Sequence, residues 1–232
     1  MVIDTAGVLA SAATLRDAAP EAVLAWAVDH FPGRLALTVS FGGNAGVVLA
    51  HMLSSIDRSV PVIFLDTGLL FEETYAMRRD YADRFGLNVV DARATVDPGP
   101  LYATDPDRCC ELRKVEPMKR AIGGFDAWVS GVRRGGVASR RATQTVELHD
   151  ADGRPLVKVH PLAHVDRDDM QRYIERHHLT SHPLLARGYS SIGCWPCTRP
   201  VRDGEDERAG RWSGTGKTEC GLHTFTTRER SA

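Results

Sequence analysis

Five cysteines fall in three places: the adjacent pair Cys109-Cys110, the pair within Cys194-Trp195-Pro196-Cys197, and Cys220 by itself near the end of the chain. Four thiolates in two such pairs can hold a tetrahedral zinc ion or an iron-sulfur cluster. Adjacent side chains point apart, which suits a cluster offering separate iron corners better than one zinc ion, for which CxxC pairs are the usual arrangement. The first pair follows Asp105-Pro106-Asp107, a helix start, and a helix N-terminus lowers a thiol pKa and favours ligation. The plainer readings are two buried thiols beside an incidental CxxC, or a CxxC redox pair, for which a thioredoxin-like context is lacking. Cys220 stands apart in Lys217-Thr218-Glu219-Cys220-Gly221-Leu222-His223, downstream of Arg208 and Arg211. Those are the surroundings of a nucleophilic thiolate that visits a site and then leaves; an exposed, incidental cysteine is the alternative.

Three further features suit an anionic ligand. Ser40-Phe41-Gly42-Gly43 is a small turn between an apolar run and a helical one, able to offer backbone N–H groups and a helix dipole to a phosphate. It lacks the Gly-Lys-Ser/Thr ending of a Walker loop and is not GxGxxG. Asp66-Thr67-Gly68 closes the next apolar run on the same edge, within reach of a base or ribose. Arg133-Arg134 and Arg140-Arg141 place four guanidinium groups in nine residues with no acid among them, a grouping that recognises phosphate or sulfate in bidentate fashion. A tight turn, an ordinary strand exit and a solvated basic loop are the respective plain readings.

The elements that must position these groups follow from the periodicity. Residues 20–30 read as an amphipathic helix, Leu35–Val39 as a buried strand, and Val48, Leu49, Met52, Leu53 and Ile56 as one face of the next helix. Val60–Leu65 and Leu87–Val90 are strands around a helix through Phe71, Tyr75, Ala82 and Phe85. A helix through Leu112, Val115, Met118 and Ile122 precedes a fourth strand, Ala127–Gly131. Such alternation implies βαβ units and a parallel sheet. Thr145–His149 and Leu156–Val159 flank an Asp152-Gly153 turn as a hairpin at a sheet edge. A helix capped by Asp166 and Asp169 follows. Beyond His182-Pro183 periodicity fades, and Thr198–Glu219, rich in glycine and charge with little to bury, reads as a mobile arm. The expected division is a nucleotide-binding α/β domain over 1–197 and an arm over 198–232.

The 232 residues carry 29 Lys+Arg against 30 Asp+Glu, a net charge of -1, which argues against a protein that coats nucleic acid. No run approaches a membrane span, and Asp4 sits where a secretory signal would want a cation, so a cytoplasmic protein with reduced thiols is expected. Lysine occurs only four times, and Lys114 and Lys217 both lie near cysteines.

Taken together, from about Leu35 to His223, these motifs resemble the assimilatory adenylyl-sulfate (APS) reductases, thioredoxin-dependent relatives of the phosphoadenylyl-sulfate (PAPS) reductases. The resemblance rests on the Ser40–Gly43 turn, Leu65-Asp66-Thr67-Gly68, Cys109-Cys110 with Arg113-Lys114, Gly131-Val132-Arg133-Arg134, the CxxC with Thr198-Arg199-Pro200, Arg208 to Trp212, and the closing Glu219-Cys220-Gly221-Leu222-His223. It implies an adenine-nucleotide α-hydrolase-like, Rossmann-like fold and a [4Fe-4S] cluster on Cys109, Cys110, Cys194 and Cys197. It further implies Cys220 as nucleophile with Lys114 and His223 as catalytic partners, and Ser40, Phe41, Gly42, Gly43, Leu65, Asp66, Thr67, Arg133, Arg134, Arg141, Arg208 and Arg211 around the substrate. APS is the implied substrate and thioredoxin the implied reductant; a homo-oligomer is left open. The chain departs from the family at Asn44-Ala45-Gly46, where an acidic residue is common, and at Gly135–Ser139, which leaves Arg140 or Arg141 as the family arginine, with Arg141 favoured. The competing readings are a PAPS or dual APS/PAPS reductase, an ATP-dependent enzyme of the same fold, and a zinc-stabilised RNA-binding module.

Overall fold

The structure, a computed structural model, describes residues 3–134, 140–223 and 225–228. The Gly135–Ser139 spacer lies outside the described residues.

Short apolar runs make the strands: β1 (Leu35–Thr38), β2 (Val62–Leu65), β3 (Val89–Ala92), β4 (Ala127–Val129), β5 (Val146–Asp150), β6 (Pro155–Val159) and β7 (Thr227–Arg228) form one sheet in the order β3-β2-β1-β4-β6-β5-β7. β3, β2, β1, β4 and β6 are parallel; β5 runs antiparallel to β6 and to β7. Leu35, Leu37, Val62, Phe64 and Val129 face one core with the helices α2 (Pro20–His30) and α3 (Asn44–Ile56), while Ala36, Ile63, Trp128 and Leu156 face a second. Burial on both faces is what a parallel sheet demands of its strands. The remaining helices are α1 (Thr5–Thr14), α4 (Glu72–Phe85), α5 (Pro106–Cys110), α6 (Glu116–Ile122) and α7 (Arg167–Arg176). Their ends follow from the sequence: Pro20 opens α2, Gly86 closes α4 in the left-handed region at φ 62°, and Asp166 caps α7 by accepting from the Asp169 N–H at 2.7 Å. Among the described residues no helix is long and apolar enough to cross a membrane.

The α/β sheet with flanking helices is the expected one, and three local expectations need correction. The hairpin does not close the sheet: β6 is an inner strand and the outer side of β5 is taken by β7, a two-residue strand from the end of the chain. So short a strand has no readable period. The helix beginning at Asp105 is interrupted by a π-turn at Glu111–Val115, whose wider winding re-aims the side chains between α5 and α6. The segment 198–219 does have something to bury: Trp212 is 3% exposed, Thr198 bridges Arg211 in antiparallel fashion, and Arg199 pairs with Glu205 at 2.7 Å.

Burial holds His160 and His182 below the ordinary histidine pKa. Below pH about 6.5 the unfolded chain therefore takes up protons that the folded chain refuses, and stability is lost as the pH falls. Urea unfolding at pH 5.5 is expected to show a lower midpoint than at pH 7.5, by at most about 1.4 kcal/mol per histidine; a midpoint that stays constant over this range contradicts the buried, neutral assignment.

Candidate functional site

Strand order reverses at β1, whose neighbours are β2 and β4, and the chain leaves the carboxyl ends of β1 and β4 in opposite directions. A cleft of about 670 Å³ opens there. Its floor is the Ser40–Gly43 turn and the first residues of α3, its sides are Leu65 and Thr67 from the end of β2 and Ser130–Arg133 from the end of β4, and its far wall is the segment 188–193 with Arg208, Arg211 and Cys220. Space is tight at one glycine of this turn and at one beyond β4. A Cβ on Gly42 would come within 3.1 Å of the Ile192 carbonyl oxygen, and one on Gly131 within 3.1 Å of Ala45 Cβ. No side chain caps α3, and the buried Asn44 Oδ1 has no hydrogen-bond partner, so the helix start presents its N–H groups to the cleft.

The cations converge on this space. Lys114, Arg133, Arg140, Arg167, Arg208 and Arg211 all line it. Burial alone would lower Lys114, but the thiols of Cys194 and Cys220 outweigh it and hold the ammonium above its usual range. Arg211 lies 4.5 Å over the Trp212 ring, reaches Ser191 Oγ at 3.3 Å, and keeps a buried, unpartnered Nε. Glu219 accepts from Arg140 at 3.0 Å and from Arg208 at 3.2 Å, so a carboxylate of the arm already occupies a bidentate anion position. Cys220, the next residue, forms part of this wall and also of a second, open cleft of about 560 Å³ between 215–221 of the arm and Pro106, Asp107 and Glu111. His223 lines the first cleft; burial drives its pKa well down, and its buried Nδ1 has no partner.

The four paired cysteines meet behind Lys114. Cys109, Cys110 and Cys194 are buried, Cys197 is partly buried, and all are free thiols. Cys194 is close enough to act electrostatically on Cys109, Cys110 and Cys197. The β2 exit loop holds both pairs. Thr67 Oγ1 lies 3.3 Å from Cys194 Sγ and the Leu69 carbonyl accepts from the Trp195 N–H at 2.8 Å, while Arg113, buried in the π-turn beyond Cys110, donates to the Thr67 carbonyl at 2.7 Å. Among the described residues no three His, Cys, Asp or Glu side chains converge on one point as a single ion requires. In place of the expected lowering of the first pair's pKa, burial outweighs the nearby Arg113 and Lys114 and pushes Cys109 up, and outweighs Lys114 and Lys217 to push Cys110 up to about 11.

Four residues expected at the cleft are elsewhere. Phe41, at φ 50°, turns its ring into the core against Phe64 and Tyr81. Asp66 is buried and held below its usual range, against the cost of that burial, by the Gly68 N–H, the Tyr75 hydroxyl and Arg93, and is turned away from the cleft. Arg134 donates to the Thr143 carbonyl at 2.7 Å. Arg141 is exposed, and it is Arg140 that lines the cleft. Ser40, Gly42, Gly43, Leu65, Thr67, Lys114, Arg133, Arg208, Arg211, Cys220 and His223 are brought together as expected. Sequence reasoning missed the Ser190–Gly193 wall, which has no motif of its own and is marked only by its place just before the CxxC.

Comparison with known proteins gives one concordant picture. Residues 34–200 match the phosphoadenosine phosphosulfate reductase domain. The adenosine 5'-phosphosulfate reductase of Chelativorans sp. (strain BNC1) is 44% identical over 215 residues, 88% of this chain and 86% of that protein. The one from Rhodococcus opacus (strain B4) is 39% identical over 228 residues, 91% of each chain. Among solved structures, the phosphoadenylyl-sulfate (PAPS) reductase of Candida auris in its phosphate complex superposes with a TM-score of 0.74 at 28% identity, covering 87% of this chain and 99% of that one. The FMN adenylyltransferase of Candida glabrata shares the fold at a TM-score of 0.59 and 14% identity, covering 91% of this chain and 76% of that one.

The placement of Arg140 in the cleft, and of Arg141 outside its lining, is open to a direct check. Arg140→Ala removes one of the two guanidinium partners of Glu219, and iodoacetamide should then alkylate Cys220 about two- to fivefold faster, as loss of a partly exposed ion pair allows. Arg141→Ala should leave the rate unchanged, and equal effects from the two would reverse the assignment.

Proposed function

The chain belongs to the phosphoadenosine phosphosulfate reductase domain family, and on that premise we propose that it reduces APS to sulfite and AMP in sulfate assimilation and cysteine biosynthesis. The carrying observation is Cys220 in the wall of a cleft that combines an uncapped helix start with Lys114, Arg140, Arg208 and Arg211. The 39–44% identity to proteins named adenosine 5'-phosphosulfate reductase over most of the chain supports APS as the substrate.

The nucleotide phosphate meets the N–H groups of the Ser40–Gly43 turn and α3, and the sulfate takes the place that Glu219 now holds against Arg140 and Arg208. The Cys220 thiolate attacks the sulfur atom. Its electron pair forms the new S–S bond, the bond from sulfur to the bridging phosphate oxygen breaks, and AMP departs with that pair. Lys114, Arg208 and Arg211 offset the negative charge that otherwise repels an approaching thiolate. Cys220 is left as an S-sulfonate. A thiolate of reduced thioredoxin then attacks Cys220 Sγ and sulfite leaves with the bonding electrons; the second thioredoxin thiol resolves the mixed disulfide and restores Cys220. Two electrons pass from the dithiol to sulfur, and the product is oxidised thioredoxin. In this cycle the segment 198–232 serves as the arm that carries Cys220, closed against the domain 1–197 for the first step and open for the second. The reducing poise of the cytoplasm suits it.

His223 is neutral, and its free Nδ1 is available to accept a hydrogen bond in the cleft. Cys109, Cys110, Cys194 and Cys197 are the residues that would hold a [4Fe-4S] cluster: all four are free thiols, the donor type such a cluster takes, and Cys194 lies within electrostatic range of the other three. When bound, the cluster supplies a structural cross-link and a fixed local charge, with Lys114 between it and the cleft. Arg133 and Arg140 turn into the cleft with Arg208 and Arg211 instead of forming one exposed basic surface with Arg134 and Arg141, which disfavours the RNA-binding reading.

Anaerobic purification should give a brown protein with iron and acid-labile sulfide; stoichiometric zinc without iron refutes the cluster. Cys220→Ser should abolish both sulfite release and the S-sulfonate mass adduct while leaving the absorption spectrum intact. Turnover of APS and PAPS side by side separates the APS reading from a dual one.

A further inference from the structure

Of the four lysines, Lys119 and Lys158 line neither cleft, and of these two only Lys158 is buried. It sits on β6 at 2% exposure, is absent from the lining of either cleft, and occupies a position where an apolar residue would pack at no cost. Its cross-strand neighbour on β5 is Glu147. That carboxylate is also served by His149 at 2.9 Å, by the Gln144 N–H at 2.8 Å and by His160 at 3.8 Å, and its charge favours the ammonium without outweighing the cost of burying it. The remaining contacts of Lys158 are with Trp128, whose ring centroid is 4.8 Å from Nζ, and with the arm, where Nζ donates to the His223 carbonyl at 3.2 Å.

Resting on the functional reading above, we propose that Lys158 is a positioning residue for the reaction, a latch that holds the C-terminal arm closed so that Cys220 stands in the wall of the cleft. The latch has a platform. The His223 ring stacks on Trp128 at 5.3 Å and 10°, Phe225 stacks on the same ring at 6.0 Å and 14°, Thr226 Oγ1 lies 3.0 Å from His149 Nδ1, and β7 pairs with β5. All these anchors lie beyond Cys220 in the chain. On the other side the arm is held by Glu219 against Arg140 and Arg208 and by the Lys217–Asp107 pair. Cys220 is suspended between two sets of non-covalent anchors, one on the core of the sheet and one at the charged cleft. Burial drives the Lys158 pKa down to about 8, so the folded chain bears a cost for this cation. The cost is accounted for by what the ammonium grips, a backbone carbonyl of the arm, which no apolar side chain can hold. A backbone carbonyl is also an acceptor that releases cleanly, as a closed arm must when the reductant arrives.

Lys158→Met keeps an unbranched, apolar stem one atom shorter than that of lysine and removes the ammonium. In the iron-loaded full chain, trypsin cleavage after Lys217 and iodoacetamide alkylation of Cys220 should each accelerate about tenfold, the scale of one lost charge-assisted hydrogen bond. Formation of the S-sulfonate and kcat with APS should fall by a similar factor, while KM for APS stays within about twofold because the Ser40–Gly43 turn, Arg133 and Arg211 of the cleft are not held by Lys158. The thermal midpoint should hold or rise, since a buried charge is gone; a merely structural lysine would lower it and leave the split between kcat and KM unmoved. Thr226→Val, which loosens the arm from His149 and leaves Lys158 in place, should accelerate cleavage in the same direction and carries the test if the first variant does not fold. Wild-type rates of cleavage, alkylation and S-sulfonate formation in the variants overturn the latch, whether or not APS is turned over. Faster cleavage and alkylation with no APS reduction by the wild-type chain would leave the latch standing and remove the functional reading instead.

Discussion

The short loop that leaves β2 is the constraint on which the rest of the site depends. Thr67 uses its hydroxyl against Cys194 and its carbonyl against Arg113, and the Leu69 carbonyl takes the Trp195 N–H. Two cysteine pairs that are 84 residues apart in the chain are thereby held through a few atoms at one edge of the sheet. Arg113 extends the tie by donating to the Gly99 carbonyl at 3.0 Å and pairing with Asp97 at 2.5 Å, which fixes the loop beyond β3 as well. A buried guanidinium is tolerable only when such acceptors are in place. These contacts tie the loop, the cysteine helix and the CxxC to one another. The π-turn gives Arg113 its inward aim, and the following residue, Lys114, then falls between thiols and cleft.

Topology supplies the cleft, and the end of the chain finishes it. A parallel sheet with its reversal at β1 leaves a crevice that only loops can line. Here one of those loops comes from the last residues, which return across the sheet to stack on Trp128 and add a strand to β5. Leu222 and Phe225 pack against the second core, so the arm gains apolar burial from the same face that Met118 and Ile122 of α6 cover.

The legible parts of the sequence were those with a local cause. Apolar runs marked β1, β2 and β4, and glycines marked the turn. What was not legible depends on rotation about single residues. Phe41 sits inside a motif that lines the cleft, yet its left-handed backbone swings the ring into the core. Asp66 ends a strand at the right edge, yet three donors on the other side claim its carboxylate. Arg140 and Arg141 are equivalent as letters; Glu219, 79 residues later, selects the first. Lys158 and Trp128 looked like ordinary strand residues because their partners lie on the arm, which carries no period to read.

The position of Glu219 explains how a cleft so rich in cations can exist before an anion enters it. Arg140 and Arg208, both partly buried, would repel one another and the nearby Arg211 if left unpaired, and an unpaired buried charge costs several kcal/mol. A carboxylate on the arm removes that cost by accepting from both. On the proposed reading, an arriving sulfate group exchanges one bidentate anion for another, so its binding leaves no guanidinium stripped and needs little net desolvation of the arginines. The displaced carboxylate belongs to the residue adjacent to Cys220. The exchange therefore acts on the nucleophile's own backbone, and the anchors on Trp128 and Lys158, three residues further on, limit how far that backbone can follow.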